Sequence, residues 1–224
     1  MKGLIGKKIG MTQIFQENGD VVSVTVVNAG PCTVIQQKGM DKEGYTAVQL
    51  GFEELKLKTK EVKKAGSKVK RQVVPTMPVA GHFKKVGVKP MRYLKEFRYE
   101  GDLKLEAAQV LDVSIFNPND IVDVIGVTKG RGYAGGMRRF GHHGNRASHG
   151  VKTHRECGSM GSNTCPGRVY KGHHLPGQYG NVRVTVKNVK VMKVDKENHL
   201  LILKGAVPGY NGTVLYVKDP SVKV

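Results

Sequence analysis

The sequence predicts a mainly β protein, an antiparallel barrel or sandwich, interrupted by one long basic loop. Three observations carry that reading. Short runs rich in Val, Ile and Leu recur at both ends of the chain, each bounded by turn residues. A length of 224 residues is enough for a self-sufficient hydrophobic core. Between Gly126 and Gly180 the apolar pattern stops, and glycine, histidine and basic residues take over.

The elements follow in order. Residues 3–15, 20–28, 32–37 and 45–52 have strand composition, with Asn18-Gly19 placed to turn the first hairpin. Lys56 to Arg71 carries eight Lys/Arg and one acid, +7 in sixteen residues, a run that marks either a solvated surface hairpin or contact with a polyanion. A short helix is expected near Pro78–Val86, because proline close to a helix start loses no hydrogen bond. Leu111–Ile115 and Ile121–Val127 add two strands around the break Asn117-Pro118-Asn119-Asp120. Val182–Val194, His199–Lys204 and Thr213–Val217 complete the set, with turns at Lys196-Glu197-Asn198 and Tyr210-Asn211-Gly212. Neither end holds enough strands to close a sheet alone, so the N- and C-terminal parts are expected to pair. The predicted division is residues 1–125 plus 181–224 as one β domain, with a basic insert at about 53–100, and residues 126–180 as an extended loop.

Charge narrows the partners. Lys and Arg number 37 against 18 Asp and Glu, a formal net charge of +19, which points to a polyanion such as RNA or DNA. No apolar run approaches the roughly 20 residues that span a bilayer, and the charged start lacks the apolar core of a signal peptide. A membrane or secreted protein is therefore not expected. Cys32, Cys157 and Cys165 are an odd set in a long chain, which argues for a reducing compartment rather than a disulfide framework. With no Trp and 6% aromatic residues, base stacking on an aromatic platform is not the main tool.

The loop at Gly126–Gly180 carries the most information. Its 55 residues hold 14 of the 29 glycines and six of the eight histidines. Nine basic residues (Lys129, Arg131, Arg138, Arg139, Arg146, Lys152, Arg155, Arg168, Lys171) face one acid, Glu156. The segment contains only five Val, Leu or Phe residues (Val127, Phe140, Val151, Val169, Leu175), too few for a core of its own. Fixing a backbone costs about 1–2 kcal/mol per residue, so ordering the segment costs on the order of 50 kcal/mol or more. The compensation must come from a partner that surrounds it. A folded RNA, with phosphates on several sides, supplies charge-assisted contacts that a passing duplex does not.

Rival chemistries compete for the same residues. Gly130-Arg131-Gly132-Tyr133-Ala134-Gly135 has the G-x-G-x-x-G spacing, but a dinucleotide site needs a helix opening at the glycines, and Gly136 to Gly141 is poor helix sequence. His149, His154, Cys157 and Cys165 are possible zinc ligands whose spacings match no common finger. His142-His143 and His173-His174 could serve a histidine-dependent nuclease; a metal nuclease would need clustered carboxylates. The alternative classes are thus a free-standing basic nucleic-acid-binding protein and a His-dependent nuclease.

Five segments in order resemble one family. They are GLIGKKIGMTQIF at Gly3–Phe15, AGHFKKVGV at Ala80–Val88, DVIGVTKGRGYAGGMRRF at Asp123–Phe140, GSMGSNTCPGRVYKGHHLPGQYGNVRVTV at Gly158–Val186 and LLILKGAVPG at Leu200–Gly209. The chain resembles the universal large-subunit ribosomal protein L-three family, bacterial type, over nearly its whole length. The resemblance implies a six-stranded β-barrel of the translation-protein type with a long basic extension inserted between strands. It also implies a non-enzymatic structural role: binding large-subunit rRNA, nucleating early subunit assembly and supporting the RNA around the peptidyl-transferase centre. Neither a cofactor nor a metal is implied. The location is cytoplasmic, in the ribosome, with an organellar ribosome left open; the neighbouring proteins are the fourteenth and nineteenth of the large subunit.

The expected rRNA contacts are Lys7, Lys8, Lys129, Arg131, Arg138, Arg139, Arg146, Lys152, His154, Arg155, Arg168, Lys171, His173, His174 and Lys204. The extension tip corresponds to Gly158, Met160, Ser162, Asn163, Thr164, Pro166 and Gly167. Many bacterial members carry a methylated glutamine in this tip; none is present here, so that modification does not carry over. The insert at Lys56–Arg71 is longer and more Lys-rich than the family pattern.

Overall fold

The computed structural model describes residues 2–55, 59–64, 67–72, 75–99 and 105–220, of which 59–64 and 67–72 are described as backbone only. In chain order the elements are β1 (Gly3–Phe15), β2 (Val21–Ala29), β3 (Cys32–Lys38), α1 (Met40–Glu43), β4 (Ala47–Glu54), β5 (Thr59–Lys64) and β6 (Ser67–Gln72). There follow α2 (Met77–Lys84), β7 (Met91–Arg98), β8 (Val110–Leu111), β9 (Ile121–Val127), β10 (Gly132–Ala134) and α3 (Gly136–Phe140). The last four are β11 (Gly177–Tyr179), β12 (Arg183–Asp195), β13 (Leu200–Lys204) and β14 (Val214–Lys218). The fold is mainly β. The chain divides into two compact units, Met1–Gly126 with Val184–Val224, and Val127–Arg183.

In the first unit six strands close a ring in the order β1-β14-β9-β12-β13-β2. The chain ends do pair: Gly3 to Lys7 of β1 run antiparallel to Lys218 to Val214 of β14, and Val24 to Asn28 of β2 run against Lys204 to Leu200 of β13. Period-2 alternation explains the register. In β14 Leu215 and Val217 are fully buried while Val214, Tyr216 and Lys218 are half-buried, and β13 buries Leu201 and Leu203 in the same way. A one-residue slip would turn these side chains outward, so the buried face fixes the pairing.

A four-stranded sheet, β7-β4-β3-β8, completes this unit and shares its core. Val34, Val48, Leu50, Phe52 and Phe97 from the sheet join Leu4, Ile5, Val27, Leu203 and Leu215 from the ring in one buried cluster. Helix α2 begins after Thr76 with proline in its first turn, as expected, and buries Phe83. His82 on the same helix pairs its Nε2 with Gln49 Oε1 at 2.7 Å.

Two sequence expectations need correction. Leu111–Ile115 is not a strand: β8 ends at Leu111, and Val113–Ile115 is one turn of 3-10 helix that buries Val113 and leads to the buried Phe116. β7 is a full strand inside the segment expected to be a basic insert; its Lys, Glu and Arg residues obscure the apolar alternation, and pairing along β4 overrides composition. The charge run at Lys56–Arg71 contains the hairpin β5–β6, with Thr59 opposite Gln72 and Lys64 opposite Ser67. Its side chains, and residues 56–58 and 65–66 altogether, lie outside the described residues.

The cysteines are free, with Cys32 buried, Cys157 half-buried and Cys165 exposed. Burial pushes the Cys32 thiol up to about 12, and its sulfur sits 3.4 Å from both the nitrogen and the oxygen of Ile5. Among the described residues no helix is long and apolar enough to cross a membrane.

Candidate nucleic-acid interface

The second unit holds its own chain ends together by a two-stranded ribbon. Thr128 N donates to Val182 O at 2.9 Å, Arg131 N donates to Tyr179 O at 2.9 Å, and Gly132–Ala134 pair with Tyr179–Gly177. Gly180 makes the close approach possible: its φ is +71°, and a Cβ there would collide with the Lys129 carbonyl.

Beyond the ribbon, α3 has five residues and ends at Gly141 in the left-handed region. Arg139 folds back so that its Nη1 donates to Leu175 O at 2.7 Å and its guanidinium lies 4.8 Å from the Phe140 ring centre. Phe140 is stacked on His174, with centroids 4.1 Å apart and planes at 9°, and on His142 at 5.9 Å. This cation–aromatic stack takes the place of an aliphatic core: in the whole unit only Ala134, Gly136 and Gly180 are buried. The next loop is clamped by Asn145, whose Nδ2 donates to Thr153 O at 2.9 Å, and by His154, whose Nδ1 lies 3.0 Å from Arg146 O.

From Gly158 outward the chain makes few internal bonds. Ser159 and Gly161 exchange hydrogen bonds through the Ser159 hydroxyl, and Arg168 lies 5.7 Å from the Tyr170 ring centre. Every residue from Gly158 to His174 is exposed, so Gly158, Met160, Ser162, Asn163, Thr164, Pro166 and Gly167 all present their surfaces to whatever surrounds them.

The basic residues separate by environment. Lys129, Arg131, Arg138, Arg146, Lys152, Arg155, Arg168 and Lys171 are exposed, as are His154 and His173, and Lys204 is exposed at the end of β13. Among the described residues no ion pair forms within the second unit, whose single acid is Glu156. An array of cations without counter-charges repels itself, and a polyanion relieves that repulsion.

Four residues stand differently. Arg139 and His174 are engaged in the stack. Lys8 is 6% exposed, and its Nζ donates to Val207 O at 3.0 Å and Gly209 O at 3.2 Å, binding β1 to the segment before β14. Its ammonium faces the protein's own carbonyls. Lys7 is half-buried and lies 3.5 Å from Glu53.

Sequence reasoning missed Arg183, Lys187 and Lys190, which are exposed along β12. The alternation in Arg183-Val184-Thr185-Val186-Lys187 was the available signal. It also missed the exposed Tyr133 and Tyr170, each near an arginine in sequence.

The rival chemistries find little support in the geometry. Contrary to the sequence expectation, Gly136–Phe140 does form a helix, closed at Gly141 in the left-handed region, but it is only five residues long. The G-x-G-x-x-G stretch ahead of it runs through β10, an antiparallel partner of β11, unlike the parallel strand–helix unit that holds a dinucleotide. Among the described residues no group of three or more His, Cys, Asp or Glu is gathered as a metal site. His142 and His174 meet around Phe140, with centroids 5.8 Å apart, and among the described residues no carboxylate is hydrogen-bonded to either.

Comparison with known proteins agrees with this picture. The family described as Ribosomal protein L3 matches residues 32–200. The large ribosomal subunit protein uL3 of Thermotoga petrophila is 50% identical over 219 residues, covering 98% of this chain and 97% of that one. The uL3 protein of Thermosipho africanus is 46% identical over 218 residues, 97% of this chain and 98% of its own. That of Carboxydothermus hydrogenoformans is also 46% identical over 218 residues, 97% of each. The match extends from the strands of the ring through the whole basic unit, and the chain belongs to the ribosomal protein L3 family.

Proposed function

We propose that the protein is a structural constituent of the large ribosomal subunit in the cytoplasm, bound to large-subunit rRNA and contributing no chemistry of its own. The observation that carries this reading is the second unit: ten basic residues, one acid and three buried residues in a segment whose sequence matches the family throughout. Such a segment gains its stabilisation from phosphates packed against it.

In this reading the ring of six strands is a barrel of the translation-protein type that serves as a rigid platform. Lys204 and the exposed cations of β12 set that platform on phosphates, while Lys8 holds the platform together. Residues 126–180 form an extension that fills gaps between RNA helices and screens closely packed backbones from one another. Its tip, Gly158–Gly167, approaches the peptidyl-transferase centre, and its effect on peptide-bond formation is indirect, through the RNA it supports. The protein binds early in assembly, beside the fourteenth and nineteenth proteins of the subunit.

Co-sedimentation tests the reading. The protein should remain with large subunits through a high-salt wash; release as a free monomer contradicts a permanent structural role. For the isolated protein on rRNA, about six phosphate contacts give a slope of log affinity on log salt near −4. A flat salt dependence contradicts phosphate-dominated binding.

A further inference from the structure

The first hairpin departs from the rest of the molecule in charge and in edge. Ile9 through Gln37 contains no Lys or Arg and two acids, Glu17 and Asp20, in a chain of net charge +19. Both acids are exposed at the hairpin tip, where Gln16 N donates to Asp20 O at 2.9 Å and Gly19 takes φ +86°. Two exposed acids and no cation make this stretch ill-suited to phosphate.

The hairpin also outruns the ring. β14 pairs with β1 only as far as Lys7, whereas β2 accompanies β1 to Phe15, so among the described residues Ile9–Phe15 has no strand along its other edge. The bond at Gln16 and Asp20 sets the alternation. Ile14 and Thr12 exchange hydrogen bonds with Val22 and Val24, and the backbone groups of Met11, Gln13 and Phe15 point away from β2. The side chains above this edge are apolar and exposed: Met11 at 51%, Phe15 at 73% and, opposite Phe15, Val21 at 54%. Ile9, 50% exposed, stands in the bulge at the base. A long edge with apolar side chains and no lysine, proline or inward charge to blunt it is a template for strand addition.

We propose that the edge Ile9–Phe15 takes up an extended segment of a neighbouring large-subunit protein as an added strand. That segment is net basic, to meet Glu17 and Asp20, and carries alternate apolar side chains, to cover Met11, Phe15 and Val21. The proposal rests on the ribosomal reading. It assigns the hairpin to protein contact, while the second unit makes the RNA contact.

The test uses large subunits purified from cells that carry the full chain with Phe15→p-benzoylphenylalanine, a photo-crosslinking side chain at an exposed position. Sedimentation is read first. A chain that never enters the subunit defeats the ribosomal reading and the docking proposal together. In a chain that does enter, irradiation should join position 15 to a Lys- or Arg-bearing peptide of another large-subunit protein. A crosslink to rRNA, to a second copy of this chain, or to nothing overturns the docking while leaving the ribosomal reading intact. Gln13→Pro added to the same chain removes one outward N–H without touching the bonds to β2, as edge positions allow. It should lower the crosslink yield several-fold, with about tenfold corresponding to the loss of one or two backbone hydrogen bonds, while sedimentation is unchanged. An unchanged yield means that no strand is added there.

Discussion

The ring and the basic unit are built by opposite rules. In the ring, alternation of apolar and polar residues at period two closes strands around a core that excludes water, and side chains such as Leu203, Leu215 and Val217 are fully buried. In Val127–Arg183, glycine and arginine replace that alternation, and the stabilising contacts are a short ribbon, one stack of Arg139, Phe140, His142 and His174, and the clamp at Asn145. The first unit carries its own stability. The second presents charge and backbone to a partner. Mutations should therefore sort by unit, with ring changes read in folding and basic-unit changes read in RNA binding.

The largest effect belongs to the ring core. Leu215→Ala should lower the unfolding free energy by about 2–5 kcal/mol, as measured by denaturant titration. Arg168→Ala with Lys171→Ala should leave it within about 0.5 kcal/mol and flatten the salt slope of rRNA binding by about 1.4, at 0.7 per phosphate contact. Equal loss of stability from both changes would erase the distinction.

Gly180→Ala probes the base of the second unit. The collision with the Lys129 carbonyl and the strain at φ +71° should open the ribbon, raising amide exchange at Arg131 and Val182 with no change in the ring. An intact ribbon in that variant contradicts the assigned geometry.

Acid pH gives a smaller effect confined to the first unit. Asp120 is held below the usual carboxylate range by the Asn117 N–H and by Lys2, and Glu96 by Lys38 and Tyr45. Both folded values are depressed, so their contribution is complete above the unfolded value near 4 and is lost as pH falls through the folded value. Replacing Asp120 by Asn should flatten that acid limb of the stability profile. An unchanged limb removes Asp120 from the account. The smallest effect is chemical: a thiol reagent should modify Cys165 and Cys157 in the native protein and spare Cys32, whose burial keeps it a thiol.

Much of the first unit was legible in the sequence because its signals are local. The strands β1, β2, β3, β9, β13 and β14 show apolar runs with turn residues between them, and Asn18-Gly19 does turn the first hairpin. What escaped depends on tertiary context. β7 is a strand because β4 lies beside it, and Lys8 reads as a surface cation until the carbonyls of Val207 and Gly209 are folded around it. In the basic unit, composition announced the absence of an aliphatic core, but no periodicity announced that Phe140 would gather His142 and His174. The charge gap from Ile9 to Gln37 was equally visible in the sequence; its meaning needed the free edge of β1.

The central claim is that the outer part of the basic unit is held by RNA while the ring holds itself. Amide exchange of the full chain, free and bound to large-subunit rRNA, tests it most directly. In the free protein the ring should be slow, the ribbon Thr128–Ala134 with Gly177–Val182 intermediate, and Gly158–Lys171 fast; binding should slow Gly158–Lys171 most. Strong protection of Gly158–Lys171 in the RNA-free protein, equal to that of β14, would contradict it.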